Sequence, residues 1–351
     1  MTNHIGIKQT MQARTTFNLR LKNKLTRTLV DAIFHFNMEK VLYSGKRVNR
    51  IIMYHGVDLK EEKRFNSRFI GLENFKKQML FLKKHTNVIS LGDFFEKKFN
   101  PNKSNIAITF DDGYLNNYKY VVPLLNELKI EATIYVTALN NTDYDILWAD
   151  FTDLAGYFCD RSVTVENERY IKNRNGKFVS ENEGILLNEV IKRKGNLEYK
   201  LSVFQAFDKN ETGFKQLNEF DDYWRLMTDE QIREVDQSKY VKIGSHSFWH
   251  NNLSNIPFSD AGKELLDAKN YLENLLQREV NDLAYPDGSY TREIIDFAYN
   301  IGFKYQLSCD GYNFNEDISD HRIKDRVGLY PAFSWCNQMH TLMTKPYDRR
   351  I

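Results

Sequence analysis

The feature that most constrains this chain is an alternation of short β-prone apolar runs with helical patterns along most of its length. Apolar runs of this length are typical of buried strands, and apolar residues at helical spacing indicate amphipathic helices. The predicted strands and strand-like segments lie at 50–55, 87–90, 105–110, 131–137, 240–245, 281–286 and 304–308, and the predicted helices at 73–85, 117–128, 228–236, 260–278 and 292–300. Strands that alternate with helices pair in parallel, so the sequence predicts an α/β fold, either a barrel or an open sheet.

One long segment, at about 144–223, interrupts this alternation. It is rich in charged and aromatic residues and much longer than an ordinary connection between elements. Amphipathic helical patterns occur within it at 145–158 and, in part, at 180–195. We interpret the segment as an insertion that either forms a wall or lid of a substrate site or only covers the sheet. The predicted organisation is an N-terminal arm at 1–48 and one domain at 49–351 that contains the insertion.

The charge balance excludes a general attraction to polyanions. The 351 residues contain 49 Lys and Arg against 47 Asp and Glu, which gives a net charge of +2. A chain with this balance does not attract nucleic acid as a whole. Its three cysteines are an odd number and lie far apart, which indicates neither a disulfide framework nor a cysteine zinc site. Any charged partner must therefore be recognised locally.

The N-terminal arm shows no export signal, and no segment reaches the roughly 20 apolar residues of a membrane-spanning helix. These absences predict a cytoplasmic protein. Between residues 20 and 34, however, basic residues alternate with Leu25, Leu29, Ile33 and Phe34 at helical spacing. Such a basic amphipathic helix either rests on a membrane surface, as a peripheral contact, or packs on the domain as an arm.

Two adjacent aspartates, Asp111 and Asp112, directly follow the predicted strand at 105–110 and precede Gly113. Folds of the α/β class place their chemistry where strands end and loops begin. Neighbouring side chains on an extended backbone diverge, so the two carboxylates can serve one site only if the chain turns, which glycine allows. Taken alone, Asp-Asp-Gly is more often a plain turn at the end of a strand.

Two histidines, His246 and His250, follow the predicted strand at 240–245 and lie four residues apart. This spacing on a helical turn directs both imidazoles to one point, at the same rim as the aspartates. Two imidazoles and one carboxylate form a ligand set typical of catalytic zinc, which leaves one position open for water. The spacing alone also arises by chance, so the prediction of a metal site depends on the aspartates and histidines together.

These segments resemble the motifs of the polysaccharide deacetylases of the NodB-homology type, metal-dependent carbohydrate esterases that remove acetyl groups from sugar chains. The TFDDGY segment at 109–114 is similar to the first family motif, and the HSFWH segment at 246–250 is similar to the second. The resemblance extends from MYHGV at 53–57 to DRVGLY at 325–330 and leaves the arm and the insertion outside. It implies a distorted (β/α) barrel, expected to have seven strands, with its site at the carboxyl ends of those strands.

The resemblance assigns Asp112, His246 and His250 to a divalent metal and Asp111 to the role of general base. The expected metal is Zn²⁺, with Co²⁺ and Ni²⁺ as alternatives. The chemistry agrees with these roles. A divalent ion lowers the pKa of a bound water from 15.7 towards about 7 and polarises the acetyl carbonyl, so an adjacent carboxylate can take the proton as water attacks.

A third family segment is altered in this chain. LAYPDGSY at 283–290 resembles the substrate-groove segment, but Ala284 stands where the family often has an arginine, and Asp287 where it has a tyrosine. The backbone amide of Asp287 can still donate to an oxyanion, with Tyr285 beside it on the substrate side. In the family, the missing arginine holds the general base in place. Our candidate for this role is Arg326, which could instead form only a salt bridge at the rim.

The general acid also departs from the family pattern. Many relatives protonate the leaving group with the histidine of a Leu-His pair near the C-terminus, and this chain has no such pair. His340 is our candidate, ahead of His321; otherwise Asp111 acts first as base and then as acid. Among the aromatic residues, Tyr114 and Trp148 are candidates to stack on a sugar face, although such rings more often belong to a core.

The sequence thus predicts a metal-dependent hydrolase that removes acetyl groups from an N- or O-acetylated glycan or glycan precursor in surface polysaccharide metabolism. Its partner is an acetylated oligo- or polysaccharide. Two alternatives stay open. One is an amide or imide hydrolase of a non-sugar substrate, because the same metal chemistry cleaves other acyl bonds. The other is a glycan-binding pseudoenzyme of a polysaccharide assembly system, because the altered third segment and the missing Leu-His pair depart from the family.

Overall fold

A parallel sheet forms the centre of the computed structural model, which describes residues 22–43, 45–60, 62, 64–209 and 211–344. Its strands, together with those of two smaller sheets, are β1 (Asn49–Tyr54), β2 (Val57–Asp58), β3 (Ile70–Gly71), β4 (Asn87–Val88), β5 (Asn105–Phe110), β6 (Ala132–Val136), β7 (Val163–Val165), β8 (Glu168–Lys172), β9 (Phe178–Ser180), β10 (Val241–Ser245), β11 (Asp282–Ala284), β12 (Tyr305–Leu307), β13 (Ile323–Lys324) and β14 (Arg326–Gly328).

The helices lie mainly between the strands of the large sheet. They are α1 (residues 22–35), α2 (Lys40–Tyr43), α3 (Leu72–His85), α4 (Leu91–Phe95), α5 (Val122–Leu128), α6 (Trp148–Phe158), α7 (Leu187–Lys194), α8 (Leu197–Gln205), α9 (Asp221–Trp224), α10 (Asp229–Asp236), α11 (Phe258–Leu276), α12 (Arg292–Asn300) and α13 (Trp335–Thr344).

The large sheet curves round so that its two edge strands come from neighbouring segments of the sequence. Its hydrogen-bonded order is β13-β12-β11-β10-β6-β5-β1-β14, all pairs are parallel, and β4 adds to the start of β5. The end strands β13 and β14 are separated in the sequence only by Asp325. They do not pair with each other in the described part of the chain, so the sheet forms a distorted barrel with a seam. If β13 and β14 are counted as one interrupted strand, the path has the expected seven strands.

Burial on both faces explains why the strands appear in the sequence as continuous apolar runs. All six residues of β5 are buried, and so are five of the six in β1. Helices cover the outer face, as α3 does by burying Phe75, Met79 and Leu82 while its lysines face solvent. This pattern is expected for parallel sheets, whose crossover helices shield them from water.

Most predicted elements are confirmed, and two differ in detail. The predicted strand at 87–90 is only the two-residue β4. The predicted helix at 117–128 begins with a π-helical turn, Asn117–Val121, before α5. The change of pitch lies next to Pro123, which has no N–H to donate to a preceding carbonyl.

The segment predicted as an insertion builds its own small sheet and core. Strands β7, β8 and β9 pair antiparallel, unlike the large sheet, and helices α6 to α9 surround them. A separate cluster of buried aromatic and aliphatic side chains holds this region together, with Phe151, Tyr199 and Trp224 among its members. Phe69 and Tyr114, which lie outside the segment, belong to the same cluster, so the small core extends to the edge of the barrel.

The described part of the N-terminal arm packs on the outside of the domain. Val30 and Phe34 of α1 are buried and belong to the main core. The ring of Phe34 contacts Phe81 of α3 and Trp335 of α13, with centroids 5.5 and 5.3 Å away. No helix in the described ranges is long and apolar enough to cross a membrane.

Candidate active site

A cavity of about 480 Å³ opens at the carboxyl end of the large sheet. Side chains that follow six different strands line it: His55 after β1, Asp111 after β5, His246 after β10, Asp287 after β11, Cys309 after β12 and Tyr330 after β14. Barrels of alternating strands and helices place their active sites at this rim. The structure therefore brings both sequence motifs, which are 134 to 139 residues apart, to one cavity.

A sharp backbone turn lets the two aspartates face one site. Asp111 remains in the sheet, since its N–H donates to the carbonyl of Tyr54 at 2.9 Å. Asp112 and Gly113 then both adopt a positive φ of 76°. At Gly113 a side chain would have no room, because a Cβ would lie 2.8 Å from Cγ1 of Val136. The turn predicted at this glycine is therefore required by both conformation and space.

Asp112, His246 and His250 form a buried cluster that can hold a metal. Oδ1 of Asp112 lies 3.4 Å from Nε2 of each histidine, and all three ligand atoms lie within 4.8 Å of one another. Nδ1 of His246 lies 2.8 Å from the carbonyl oxygen of Ala284, which only accepts, so this nitrogen carries a proton. When His246 is neutral, its Nε2 consequently presents a lone pair to the cluster.

The donor set of this cluster fits a divalent cation. Oδ1 of Asp112 is buried and accepts no hydrogen bond from any described residue. Burial alone would raise the pKa of Asp112, but the facing imidazoles and the nearby Arg68 hold it well below its ordinary value. An ionised oxygen and two imidazole nitrogens converge here, and a cation would satisfy them together. Fixing His246 through its second nitrogen is the usual way to orient a histidine ligand.

Asp111 lies beside the cluster and is held by Arg326. The guanidinium donates from Nη1 to Oδ1 at 2.6 Å and from Nη2 to Oδ2 at 2.8 Å. Burial alone would raise the pKa of Asp111, but the charge of Arg326 outweighs it and keeps the pKa below its ordinary value. Oδ2 of Asp111 is 3.9 Å from Nε2 of His246. An ionised carboxylate therefore stands next to the cluster, as a general base requires.

A second polar group, Arg68, contacts the other oxygen of Asp112. Nη1 of Arg68 lies 3.3 Å from Oδ2 of Asp112, and Nη2 donates to Oδ1 of Asp150 at 2.5 Å and to the hydroxyl of Tyr114 at 2.7 Å. Asp150 also accepts from the hydroxyl of Tyr114 at 2.7 Å and from Asn66 at 2.7 Å. This network links helix α6 of the insertion to a candidate metal ligand.

The sequence patterns do not identify Arg68 and Asp150 as site residues. Arg68 lies in an irregular connection between β2 and β3, where no periodic pattern identifies a functional residue. Asp150 lies in the first turn of α6, where an acidic residue is usual because it complements the helix dipole. What distinguishes Asp150 is its burial, which the structure shows and the sequence does not.

Two tyrosines predicted on the substrate side are buried instead. Tyr114 is inaccessible, and its hydroxyl is bonded to Arg68 and Asp150. Tyr285 is also inaccessible, because its ring packs on Tyr290 and its hydroxyl donates to Gln306 at 2.6 Å. Neither side chain lines the cavity, so both predicted substrate contacts are corrected to structural roles.

The structure does not bring His340 to this site. His340 lies in α13, which packs on α2 and α3 outside the sheet, and its Nε2 is 3.5 Å from the hydroxyl of Thr344. It does not line the cavity, so its assignment as general acid is not supported by its position. His55, in contrast, lines the cavity, and burial lowers its pKa to about 4, so this imidazole is neutral at physiological pH.

The insertion supplies one wall of the cavity. Seven of its residues contribute to the lining: Leu147, Trp148, Ala149, Asp153, Lys177, Asn188 and Lys192. Lys192 of α7 reaches across to Asp287, with Nζ 2.8 Å from Oδ1. Of the two interpretations given to the insertion, the structure therefore favours a wall of the site over a cover for the sheet alone.

Comparisons with known proteins agree with the fold and with the motifs. A family model described as polysaccharide deacetylase matches residues 98–167 and 192–306, just over half of the chain. The chain belongs to the polysaccharide deacetylase family.

One curated relative is the putative polysaccharide deacetylase YxkH of Bacillus subtilis, 24% identical over 106 residues. The match covers 29% of this chain and 38% of that relative, well short of its full length. Among solved structures, the Streptococcus pyogenes deacetylase PplD in complex with acetate has a TM-score of 0.53 at 15% identity, over 86% of this chain and 100% of the other. IcaB from Ammonifex degensii has a TM-score of 0.52 at 15% identity, over 85% and 98%. At these identities the structural likeness establishes the fold alone.

Proposed function

We propose that this protein is a metal-dependent hydrolase that removes acetyl groups from an N- or O-acetylated glycan or glycan precursor. The observation that carries the proposal is the convergence of Asp112, His246 and His250 on one buried point, with Asp111 beside them. Zn²⁺ is the expected ion, with Co²⁺ and Ni²⁺ as alternatives, because imidazole and carboxylate ligands discriminate weakly among these metals. Surface polysaccharide metabolism is the expected setting.

The residues around the cluster have separable roles in this reaction. A divalent ion held by Asp112, His246 and His250 would polarise the acetyl carbonyl and lower the pKa of a coordinated water. Asp111 accepts the proton of the attacking water, because Arg326 keeps its carboxylate ionised at neutral pH. Arg326 also fixes the direction of that carboxylate through two parallel hydrogen bonds, which restrains both of its oxygens.

The leaving group needs a proton, and Asp111 is the residue best placed to supply it. After it has taken a proton from water, the same carboxyl group can return that proton to the departing amine or alkoxide. His340 is remote from the cavity lining, and His55 is neutral because of its burial. We therefore assign both steps to Asp111, first as base and then as acid.

The position of Arg326 favours the enzymatic interpretation over a glycan-binding pseudoenzyme. Ala284 stands where the family often has an arginine in its third segment, which is one of the departures that suggest lost activity, together with Asp287 and the missing Leu-His pair. The guanidinium of Arg326 reaches the same carboxylate from β14. A buried charged pair at the base is costly to retain without use, because both charges must be removed from water.

The experiment that tests this proposal combines metal analysis with acetate release from a panel of N- and O-acetylated oligosaccharides. Wild-type protein should bind about one divalent ion and release acetate. Asp111→Asn should keep the ion and lose on the order of 10²-fold or more in rate. Asp267→Asn, on the solvent-exposed side of α11, is the matched control and should behave as wild type. Folded protein that binds no ion after metal is added back would contradict the proposal.

A further inference from the structure

An exposed row of large apolar side chains extends along α1, the short connection after it and α2. We call this row the outer stripe; its members are Leu25 at 63% exposure, Leu29 at 61%, Phe36 at 69%, Met38 at 55% and Val41 at 72%. Leu25 and Leu29 lie four residues apart on α1, a spacing that places them on one face of the helix, and Phe36 directly follows its last residue. Single exposed apolar residues are ordinary on protein surfaces, but five within one short segment of the chain are typical of a contact surface.

The opposite side of α1 packs against the domain. The outer stripe is therefore exposed on a helix whose orientation is fixed. Val30 and Phe34 are buried in the main core. Asp31 accepts from Asn337 of α13 at 2.8 Å, and the guanidinium of Arg27 lies 3.7 Å from the ring centre of Phe333. The helix therefore has one apolar side that is buried against the domain and a second apolar side that faces solvent.

The charge of this region is strongly asymmetric. Residues 1–30 contain six of the 49 Lys and Arg of the chain and none of its 47 Asp and Glu. They therefore carry a formal charge of +6, whereas residues 31–351 carry −4. The nearest acidic residues are already paired on the domain side: Asp31 with α13, and Glu39 with His85 at 3.0 Å.

We propose that the outer stripe and the basic residues beside it dock this protein on a bilayer surface that contains anionic lipids. A helix that combines an apolar face with flanking Lys and Arg binds at the boundary of headgroups and acyl chains. Lys22 and Lys24 lie on α1 itself, close to Leu25, so cationic and apolar contacts are made together. This surface is separate from the catalytic cavity and would bring the domain to substrates held at a membrane.

A second copy of the chain fits this surface less well than a bilayer does. Two such surfaces facing each other would bring Lys22 and Lys24 of one copy towards those of the other, a like-charge arrangement that opposes association. An anionic lipid surface offers the complementary charge and an apolar layer at the depth that the leucines reach. An anionic lipid surface is therefore the expected partner, and self-association would be visible as a change of mass in solution.

The test is cosedimentation of the full chain with vesicles of phosphatidylcholine alone or mixed with phosphatidylglycerol. Wild type should bind the anionic vesicles, bind the neutral ones weakly, and be released by high salt. The double variant Leu25→Glu with Leu29→Glu should bind at least about tenfold more weakly. Leu266→Glu is the matched control, because Leu266 is also exposed (41%) but lies on α11, and it should bind as wild type.

Light scattering on the same samples separates the alternatives. The wild type and the double variant should have the same mass in solution, and the same melting temperature within experimental error. Two results would overturn the proposal. One is equal binding of wild type and double variant to anionic vesicles. The other is a wild type that forms a dimer and binds no vesicles, together with a double variant that is monomeric.

Discussion

Arg326 and Asp111 are 215 positions apart in the sequence and form a fully buried, two-pronged ion pair at the rim of the barrel. The same guanidinium also donates from Nε to the carbonyl of Ser308 at 3.0 Å and from Nη1 to Thr109 at 3.2 Å. These four hydrogen bonds leave the side chain one conformation. The pair thus joins the seam strand β14 to the loop that carries the candidate base.

Removing Arg326 should destabilise the protein and also abolish activity. In Arg326→Met, Asp111 is left as an uncompensated buried charge, which costs about 3–5 kcal/mol in the free energy of unfolding. Arg326→Lys keeps the charge but loses the parallel hydrogen bonds, so an intermediate loss is expected. Urea unfolding and acetate release measure the two effects separately.

A double variant distinguishes the charge effect from simple loss of packing. Adding Asp111→Asn to Arg326→Met removes the unpaired charge and should recover much of the lost stability. Activity should not recover, since the base is absent. If the double variant is as unstable as Arg326→Met, the ion pair does not account for the stability of this region.

A divalent ion should stabilise the folded protein against heat. An ion that binds only the native state at about 100 times its Kd adds about 2.7 kcal/mol to the free energy of unfolding. The melting temperature of metal-stripped wild type should therefore rise when Zn²⁺ is added, and fall again with a chelator. His250→Gln should lose this response and Asp111→Asn should keep it; a similar response in both would contradict the assigned ligand set.

Local sequence patterns sufficed for the strands and for the two main motifs. The run at 105–110 is apolar throughout because β5 is buried on both faces, so its length and its end are visible in the sequence. Asp111 and Asp112 then follow at the carboxyl end, and His246 and His250 do so after β10. Parallel strands in one barrel bring such positions together whatever their distance in the sequence.

Contacts between distant, irregular segments were not predictable in the same way. Arg68 and Asp150 are 82 residues apart, and neither lies at a strand end. The directions of Tyr114 and Tyr285 depend on which neighbours fill the space around their rings, which local sequence does not specify. The same holds for His340, whose place outside the sheet depends on how α13 packs on α3.

Asp150 should affect the metal affinity of the site, because Arg68 contacts both Asp150 and the candidate ligand Asp112. Burial raises the pKa of Asp150 to about 7, so the effect is expected above pH 7: in Asp150→Asn, the guanidinium of Arg68 loses its anionic partner and competes more strongly with a metal for the carboxylate of Asp112. Loss of such an outer partner typically costs about 10- to 100-fold in metal affinity. Titration against a chelating dye measures this. Asp145→Asn, whose partner is Lys215 elsewhere in the insertion, is the matched control and should have wild-type affinity.

The free energy of unfolding should depend on pH through the titration of Asp282, at the start of β11. Burial, with a smaller contribution from the charge of Asp236, raises the pKa of Asp282 to about 6, although Arg278 opposes the shift. A carboxyl group with a raised pKa favours the folded state when protonated. Its contribution is therefore fully present below the unfolded pKa of about 3.9 and is lost as the pH rises through about 6.

Asp282→Asn removes this titration and keeps the shape of the side chain. Above pH 6 the variant should be more stable than wild type, by about 1–3 kcal/mol, because each unit of pKa shift corresponds to about 1.36 kcal/mol. Near pH 4 the two proteins should differ little, since Asp282 is then protonated in the folded wild type and about half protonated in the unfolded chain. Urea unfolding at pH 4 and pH 8 measures both differences. A constant difference across this range would mean that the carboxyl group of Asp282 does not titrate between those limits in the folded protein.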